Sequence, residues 1–331
     1  MKKLINEVDN VVTEMLDGMV AAYPQYVKRL PGLEVLVRAG GSEGKVALVS
    51  GGGSGHEPAH GGFVGKGMLD GAVAGAVFTS PTPDQVYEAI KAANGGKGVL
   101  LVIKNYTGDV MNFEMAADMA ADEGIEVDKV IVADDVAVEN STWTTGRRGI
   151  AGTIFVHKLA GACAEAGGDL AAVKGVAEKV IANVRSMGMA VDACTVPAAG
   201  KPSFDLAEDE IEIGIGIHGE PGTHREKLTT VNEISDKLLE KILAEGIYNS
   251  GDEVAVMVNG MGGTPLMELF IANNHIKDVL AAKGIRIYKT LVGNYMTSLD
   301  MEGFSITLLK LDDELKPLLD APADTPAFVQ F

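Results

Sequence analysis

The chain has 331 residues, of which 47% are hydrophobic and 22% are charged. This length and apolar content are sufficient for two domains with substantial cores. The 46 acidic residues outnumber the 28 basic residues, so the formal net charge is −18. A charge of this sign repels nucleic acids and anionic membrane surfaces, and we expect neither as a partner.

The two cysteines, Cys163 and Cys194, have the spacing of neither a metal site nor a redox pair. Polar and acidic residues interrupt the N-terminal segment MKKLINEVDNVV, so it does not resemble an export signal. No apolar run approaches the roughly 18 residues that a membrane span needs. We therefore expect buried thiols in a reducing cytosol and predict a cytoplasmic protein.

In the first half of the chain, short β-branched runs alternate with longer amphipathic segments. Apolar runs begin at Lys45, Gly98 and Lys129, and each leads into a Gly-rich or polar loop. This alternation of strand-like and helix-like segments is typical of βαβ units. Runs that are apolar on both faces suit strands of a sheet that helices cover on each side. With two helical stretches at 149–167 and 170–187, the pattern predicts a doubly wound, mainly parallel α/β domain over residues 1–190.

The composition changes near residues 192–205, where CTVPAAGKPSFD is typical of an extended linker. Beyond it, EIEIGIGIHGE alternates like a half-buried strand. Helical patterns over 227–245 and 265–283 alternate with the strands EVAVMVNG and IRIYKTLVG, and FSITLLKL adds a last strand. We therefore predict a smaller α+β domain over residues 191–331.

The strongest local signal is VSGGGSGHEPAHGG, where a strand ends in four glycines within five positions. Bare backbone and the Ser54 hydroxyl can approach a small polar ligand there, although a tight turn is the simpler alternative. A P-loop needs Gly-Lys-Ser/Thr where this loop has Gly55-His56-Glu57, and the dinucleotide fingerprint needs a small residue where this loop has His56 or Pro58. The loop predicts neither kind of nucleotide site.

Residues His56 to His60 match H-E-x-x-H, which places two zinc ligands on one face of a helix with the glutamate as base. Pro58 is disfavoured inside a helix beyond its first turn, and the flanking glycines indicate a loop. A zinc hydrolase stays an alternative. We favour His56 as a lone catalytic group and predict no metal.

Two further strand-end segments carry groups suited to chemistry. KNYTGDVMNFEMA places Lys104 at a strand end and Asp109 before a helix expected over 110–122. Asp109 is either a general base for a hydroxyl or simply the cap of that helix. GIGIHGEPG places His218 among glycines, where a neutral imidazole can add to a carbonyl, although a histidine on a strand is commonly structural.

Arg147 and Arg148 precede the helix that is expected near residue 149. Paired arginines can bind a phosphate or an anionic partner. A solvated pair of charges at the start of a helix explains them equally well, and we leave their role unassigned.

Five segments together resemble the dihydroxyacetone-binding K subunit of dihydroxyacetone kinases: GGGSGHEPAH, FTSPTPDQV, KNYTGDVMNFEMA, NSTWTTGRRGIAGT and GIGIHGEPG. They occur in family order, and the resemblance spans essentially the whole chain. It implies a ketose bound covalently to His218 as a hemiaminal. We expect catalytic roles for His218, His56 and Asp109, with Asp109 as the general base and His56 as its proton-handling partner. By the same resemblance, Gly53, Ser54 and Lys104 bind the substrate.

The resemblance also implies a division of labour between subunits. The chain has no metal–phosphate motif, so we expect it to bind no cofactor, to be inactive alone and to need a separate L-type subunit carrying ADP or ATP with magnesium. In the bacterial family a phosphotransferase-system protein, fed from phosphoenolpyruvate, recharges that nucleotide. A homodimer is expected too. The main alternative is a dihydroxyacetone-binding coactivator of a transcription regulator.

Overall fold

The computed structural model of the chain describes residues 2–141 and 144–331. Thr142 and Trp143, which belong to the segment NSTWTTGRRGIAGT, lie outside the described residues. In the described part, two six-stranded sheets form the framework, and a two-stranded ribbon lies near the C-terminus.

The first sheet has the strand order β1-β2-β4-β3-β5-β6. Its strands are β1 (Val27–Arg29), β2 (Val35–Arg38), β3 (Ala47–Ser54), β4 (Gly71–Val77), β5 (Val99–Lys104) and β6 (Val127–Val132). Strands β3 to β6 are mutually parallel, whereas β1 and β2 pair antiparallel at one edge. Every residue of β3 and β5 is buried, as expected for central strands of a parallel sheet.

Helices cover both faces of this sheet. They are α1 (Val11–Ala22), α2 (Pro83–Ala93), α3 (Thr107–Asp122), α4 (Thr153–Glu165) and α5 (Leu170–Asn183). Residues of α2 and α3 pack in one core cluster, and residues of α4 and α5 pack in another. Helix α2 begins at Pro83, whose fixed φ suits the first helical position. The predicted doubly wound, mainly parallel domain is confirmed.

The second sheet has the order β11-β10-β12-β7-β8-β9. Its strands are β7 (Val184–Asp192), β8 (Glu210–Ile213), β9 (His224–Lys227), β10 (Glu253–Gly260), β11 (Arg286–Gly293) and β12 (Glu302–Leu311). Only β10 and β11 pair in parallel within it. Helices α6 (Val231–Leu243) and α7 (Leu266–Ala282) pack against it in a shared apolar cluster. The mixed sheet with its helices agrees with the predicted α+β class.

The chain passes from the first sheet to the second at Val184. The stretch predicted as helical to residue 187 ends at Asn183, because the following residues pair with β12. The last elements are α8 (Leu315–Asp320), β13 (Ala323–Asp324) and β14 (Val329–Gln330), and residues of α8 and β13 contribute to the same cluster as α4 and α5. The division at residue 190 stays a prediction. No helix in the described part of the chain has the length and apolar character to cross a membrane.

The alternating segment over 210–220 forms a shorter strand than its pattern predicts. Strand β8 ends at Ile213, because Gly214 has a φ of +77° and turns the chain out of the sheet. Glycine adopts this left-handed conformation freely. His218 therefore lies in a loop beyond the strand and not on the strand itself.

Candidate active site

The carboxyl edge of the first sheet gathers most of the predicted site residues. Gly53 lies near the end of β3, Lys104 ends β5, and Asp109 lies in the first turn of α3. Parallel strands end together at such an edge, which is where open α/β sheets bind ligands. His218 reaches the same edge from the loop that follows β8.

A cleft of about 590 Å³ opens at this edge. Gly53, Asp109 and His218 line it together with Phe78 and Tyr106. The sequence analysis missed these two aromatic residues. The mixture of apolar rings with a few convergent polar groups is typical of a site for a small molecule.

The ring of His218 is surrounded by three aromatic rings. Its Nε2 lies 3.0 Å from Nε2 of His56. The rings of Tyr106 and Phe78 stand edge-on to it, with centroids 4.6 Å and 5.2 Å away. The side chain keeps 15% of its surface exposed, so it can meet a ligand from the cleft.

His56 lies behind His218 and is fully buried. Its Nδ1 is 2.7 Å from the carbonyl oxygen of Thr297, which can only accept, so Nδ1 donates. Burial, with the nearby positive charge of Lys104, lowers the pKa of His56 well below its ordinary value. A neutral His56 thus presents the lone pair of Nε2 to the site.

Lys104 and Asp109 have buried polar atoms that lack hydrogen-bond partners within the described residues. These atoms are Nζ of Lys104 and Oδ1 of Asp109. A Cβ added to Gly52 would lie 2.9 Å from Lys104 Nζ and 3.3 Å from Asp109 Oδ2, so both groups converge on this bare backbone. A buried polar atom without a partner costs about 1–3 kcal/mol. The two atoms therefore indicate a ligand that carries hydroxyl or carbonyl groups.

Asp109 is not the N-cap of its helix. Helix α3 begins at Thr107 with Tyr106 at the N-cap position, three residues earlier than the sequence predicts. The carboxylate is 3% exposed and belongs to the cleft. Burial lowers the pKa of Lys104, although the negative charges of Asp109, Glu220 and Glu57 oppose that shift.

Gly53 and Ser54 differ in how they relate to the cleft. A Cβ on Gly53 would lie 2.6 Å from the backbone nitrogen of Thr79, so only glycine fits there. The Ser54 hydroxyl donates to the carbonyl oxygen of Gly75 at 2.7 Å. It is directed to the neighbouring strand, and its role as a substrate ligand stays a prediction.

Phe78 adopts a conformation that is uncommon for a bulky residue. Its φ is +57°, and its ring stacks on His56 with centroids 5.2 Å apart. Left-handed backbone at a non-glycine residue costs of order 1–3 kcal/mol and concentrates at functional sites. This backbone conformation places the Phe78 ring against His56 and His218. No sequence pattern indicates this conformation.

His60 points away from His56. Its Nδ1 lies 3.0 Å from Nε2 of His157, and residues 56–60 form a turn instead of a helix. Burial lowers the pKa of both partners, that of His157 to about 3. Within residues 2–141 and 144–331, no three His, Cys, Asp or Glu side chains are arranged to hold a metal. The two histidines of the H-E-x-x-H match therefore face different partners, His218 for His56 and His157 for His60.

Arg147 and Arg148 have internal partners. Arg148 is fully buried, contacts Asp135 through Nε and Nη2 at 2.7 Å, and donates to the carbonyl oxygen of Gly214. Arg147 forms a bidentate ion pair with Glu245, in which Nη1 and Nη2 donate to the two carboxylate oxygens at 2.6 Å and 2.9 Å. Both side chains link the first domain to segments of the second.

Glu220 is a site residue that the sequence analysis did not identify. One carboxylate oxygen lies 3.0 Å from Nδ1 of His218, and the other accepts the backbone N–H of His218 at 2.9 Å. Burial alone would raise the pKa of Glu220, but His218 and Arg148 more than offset this and lower it to about 2. The spacing His-Gly-Glu was the available signal.

Comparison with known proteins places these features in context. The Dak1 domain model matches residues 17–327. The dihydroxyacetone-binding subunit DhaK of PTS-dependent dihydroxyacetone kinase 1 from Listeria innocua is 56% identical over 329 residues, which is 99% of this chain and 100% of that protein. The corresponding subunit of the PEP-dependent dihydroxyacetone kinase from Escherichia coli is 46% identical over 351 residues, with 99% of each chain covered.

Two solved structures are similar over nearly the whole chain. The dihydroxyacetone kinase of C. freundii in its native form has a TM-score of 0.90 and 36% identity, and the match covers 99% of this chain and 60% of that one. The dihydroxyacetone kinase operon co-activator Dha-DhaQ has a TM-score of 0.91 and 38% identity, with 98% and 99% of the chains covered. The fold is therefore common to kinases and to a coactivator.

Proposed function

The chain belongs to the Dak1-domain family of dihydroxyacetone-binding kinase subunits, and from this premise we propose that it is the substrate-binding subunit of a dihydroxyacetone kinase. The relatives named as such subunits are 46–56% identical over nearly their full length, compared with 38% for the coactivator. The observation that carries the proposal is the cleft in which His218 and Asp109 lie together, beside a Lys104 amine that has no hydrogen-bond partner in the described part of the chain.

We assign His218 the covalent step. A neutral imidazole adds to the carbonyl carbon of dihydroxyacetone and gives a hemiaminal. Covalent capture selects ketones and aldehydes over glycerol, which has no carbonyl. Lys104 Nζ and Asp109 Oδ1, which have no hydrogen-bond partner among the described residues, receive the oxygen atoms of the ketose. The cleft thus holds the substrate by one covalent bond and several hydrogen bonds.

Asp109 acts on the hydroxyl that receives the phosphate. Its carboxylate lies in the cleft lining at the start of α3, within the same cavity as His218. A carboxylate that accepts the hydroxyl proton makes that oxygen a better nucleophile. His56 handles the proton of the carbonyl oxygen and orients His218 from behind.

The phosphoryl group comes from a nucleotide on a separate L-type subunit, as ATP with magnesium. This chain supplies the acceptor and is inactive alone, and a phosphotransferase-system protein fed from phosphoenolpyruvate recharges the nucleotide. We place the protein in the cytoplasm as a homodimer. These features follow from the family and from the absence of a nucleotide motif in the sequence.

A reconstituted transfer assay tests this function. The purified chain is mixed with an L-type subunit, ATP, magnesium and dihydroxyacetone, and formation of dihydroxyacetone phosphate is measured. Each protein alone is the control. Product that requires both proteins supports the kinase subunit. A chain that binds dihydroxyacetone yet gives no product with its genomic L-type partner would favour the coactivator.

The two histidines of the H-E-x-x-H match are expected to differ in importance. His56→Ala removes the ring that contacts His218, whereas His60→Ala removes a ring that contacts His157. We expect kcat/KM to fall by roughly 10²-fold or more for His56→Ala and by much less for His60→Ala. Thermal unfolding of both variants controls for loss of fold. Equal losses in two folded variants would contradict the assignment.

The partner subunit is expected to reach the cleft over one exposed apolar face of α3. Met111 and Met115 are 57% and 53% exposed, lie one turn apart on this helix and flank Asn112, which lines the cleft. The double substitution Met111→Glu with Met115→Glu should raise the KM for the L-type subunit about tenfold or more, since charge replaces apolar contact.

The matched control for that surface is Met267→Glu, at an exposed methionine on α7 outside the cleft lining. It should leave the KM for the L-type subunit unchanged. The double variant should still form the dihydroxyacetone adduct at the normal rate. Normal affinity of the double variant for the partner would show that docking uses another face.

A further inference from the structure

Glu220 lies directly against the backbone and the ring of His218. The residue is 3% exposed, and its two carboxylate oxygens contact the backbone N–H and the ring Nδ1 of His218. With a pKa of about 2 the carboxylate is ionised at neutral pH and can only accept hydrogen bonds. Nδ1 of His218 must therefore donate. In the neutral ring, the lone pair then resides on Nε2.

Gly216 and Arg148 lie beside the carboxylate of Glu220. A Cβ on Gly216 would collide with Oε2 of Glu220 and would lie 2.7 Å from Nη1 of Arg148, so bare backbone makes room for this contact. Arg148 is itself buried and held by Asp135. Its positive charge helps to keep the Glu220 carboxylate ionised.

The contact between His56 and His218 requires one proton more than two neutral rings supply. Nδ1 of His56 donates to the Thr297 carbonyl, and Nδ1 of His218 donates to Glu220. Each neutral ring then has a lone pair on Nε2, and these two atoms are 3.0 Å apart. Two lone pairs do not form a hydrogen bond, so a hydrogen bond between these Nε2 atoms requires one additional proton.

We propose that Glu220 is a positioning residue that keeps His218 in the tautomer able to add to a carbonyl, while the proton that this addition consumes comes by way of His56, as the proposed function has it. The inference rests on the proposed function. The Nε2 lone pair of His218 forms the bond to the carbonyl carbon, and the π electrons move onto oxygen. As His218 adds, the additional proton passes from the contact between the rings through Nε2 of His56 to that oxygen. The His218 ring becomes an imidazolium whose Nδ1–H faces the Glu220 carboxylate.

The charges around the pair suit this proton transfer. Lys104 and Glu57 lie near His56, and Glu220, Arg148 and Tyr106 lie near His218. Burial and the positive charge of Lys104 disfavour a protonated His56, so it releases its proton readily to a developing alkoxide. The negative Glu220 stabilises the imidazolium that forms on His218. The pair can thus donate a proton on one side and accept positive charge on the other.

Glu220→Gln tests the tautomer with little change in shape. The amide has one accepting oxygen, whereas the carboxylate accepts from both the backbone N–H and Nδ1 of His218. If the amide oxygen keeps the backbone N–H, the amide NH₂ donates to Nδ1 and drives the ring to the Nε2–H form, which has no lone pair for addition. We expect adduct formation to slow by about 10²-fold or more, since a wrong histidine tautomer in a catalytic pair has effects of this size.

Histidine ¹⁵N NMR of the ligand-free protein reads the tautomer directly. The wild type should show His218 protonated at Nδ1, and Glu220→Gln should shift it toward Nε2–H. Glu220→Asp, which keeps the charge, should restore a large part of the rate. Glu226→Gln is the matched control, because Glu226 pairs with the exposed His224 on β9. It should change neither the rate nor the His218 signals.

The outcomes separate this inference from the function on which it rests. A wild-type His218 with its proton on Nε2 alone would overturn the role of Glu220, whatever the variants do. A folded Glu220→Gln variant that forms the adduct at the normal rate would overturn it too. If the wild type shows the Nδ1–H tautomer but forms no adduct with dihydroxyacetone, the proposed function fails while the positioning by Glu220 stands.

Discussion

His218→Ala should abolish the covalent adduct with dihydroxyacetone and reduce phosphoryl transfer by roughly 10³-fold or more, as loss of a covalent nucleophile does in other enzymes. The substitution removes the only imidazole among the described residues that line the cleft. Isothermal titration of dihydroxyacetone and the reconstituted transfer assay measure the two losses. Binding should weaken strongly, because hydrogen bonds to Lys104 and Asp109 alone would remain.

His224→Ala is the control for that experiment. His224 lies on the edge strand β9 with 55% of its side chain exposed, and it contacts Glu226. Its loss should leave binding and transfer unchanged. A His218→Ala protein that retains full affinity for dihydroxyacetone and normal turnover would mean that capture is not covalent at this residue.

Asp109→Asn is expected to separate capture from transfer. The variant should still form the adduct, because His218, His56 and Glu220 are intact, but transfer should fall by about 10²- to 10⁴-fold without a general base. The amide has nearly the size of the carboxylate, so the buried start of α3 should keep its packing. Adduct formation by mass spectrometry under native conditions and turnover with the L-type subunit are the two measurements.

Asp118→Asn provides the matched change on the same helix, since Asp118 is exposed on α3 away from the cleft lining. It should have no effect on either measurement. Normal turnover of Asp109→Asn would remove Asp109 from the role of base. Loss of the adduct together with turnover would instead make it a ligand that capture requires.

The architecture of the first domain was predictable because local pattern and burial agree there. Strand β5 is apolar on both faces, and it is buried on both faces in the sheet. The glycine run at the end of β3 and the charged residues after β5 follow apolar runs in the sequence, so both indicate the same sheet edge. Parallel strands converge at that edge, and residues distant in sequence could therefore be grouped correctly.

The parts that sequence reasoning missed depend on contacts between distant segments. The carbonyl oxygen of Thr297 fixes His56 across 241 positions of the chain, and no local pattern indicates it. Phe78 enters the site through a left-handed backbone conformation that its residue type disfavours. The alternation over 210–220 predicted a strand longer than the observed β8. The pattern includes Gly214, but this residue turns the chain out of the sheet.

Glu220 illustrates a different limit. The sequence places it two residues from His218, but only the structure shows that both of its oxygens contact the same histidine. A glutamate after a glycine in a loop is commonly a surface residue, and its burial follows from the room that Gly216 leaves. The position of a charge relative to a ring nitrogen cannot be read from spacing alone.

The central claim is that His218 captures the carbonyl carbon of dihydroxyacetone, and NMR of the complex tests it most directly. The ketose is labelled with ¹³C at its carbonyl carbon, and the protein is labelled with ¹⁵N at histidine. The account predicts a tetrahedral carbon signal with a one-bond coupling to Nε2 of His218, absent in His218→Ala. A bound ketose whose labelled carbon remains a ketone or a hydrate, without coupling to any histidine nitrogen, would contradict it.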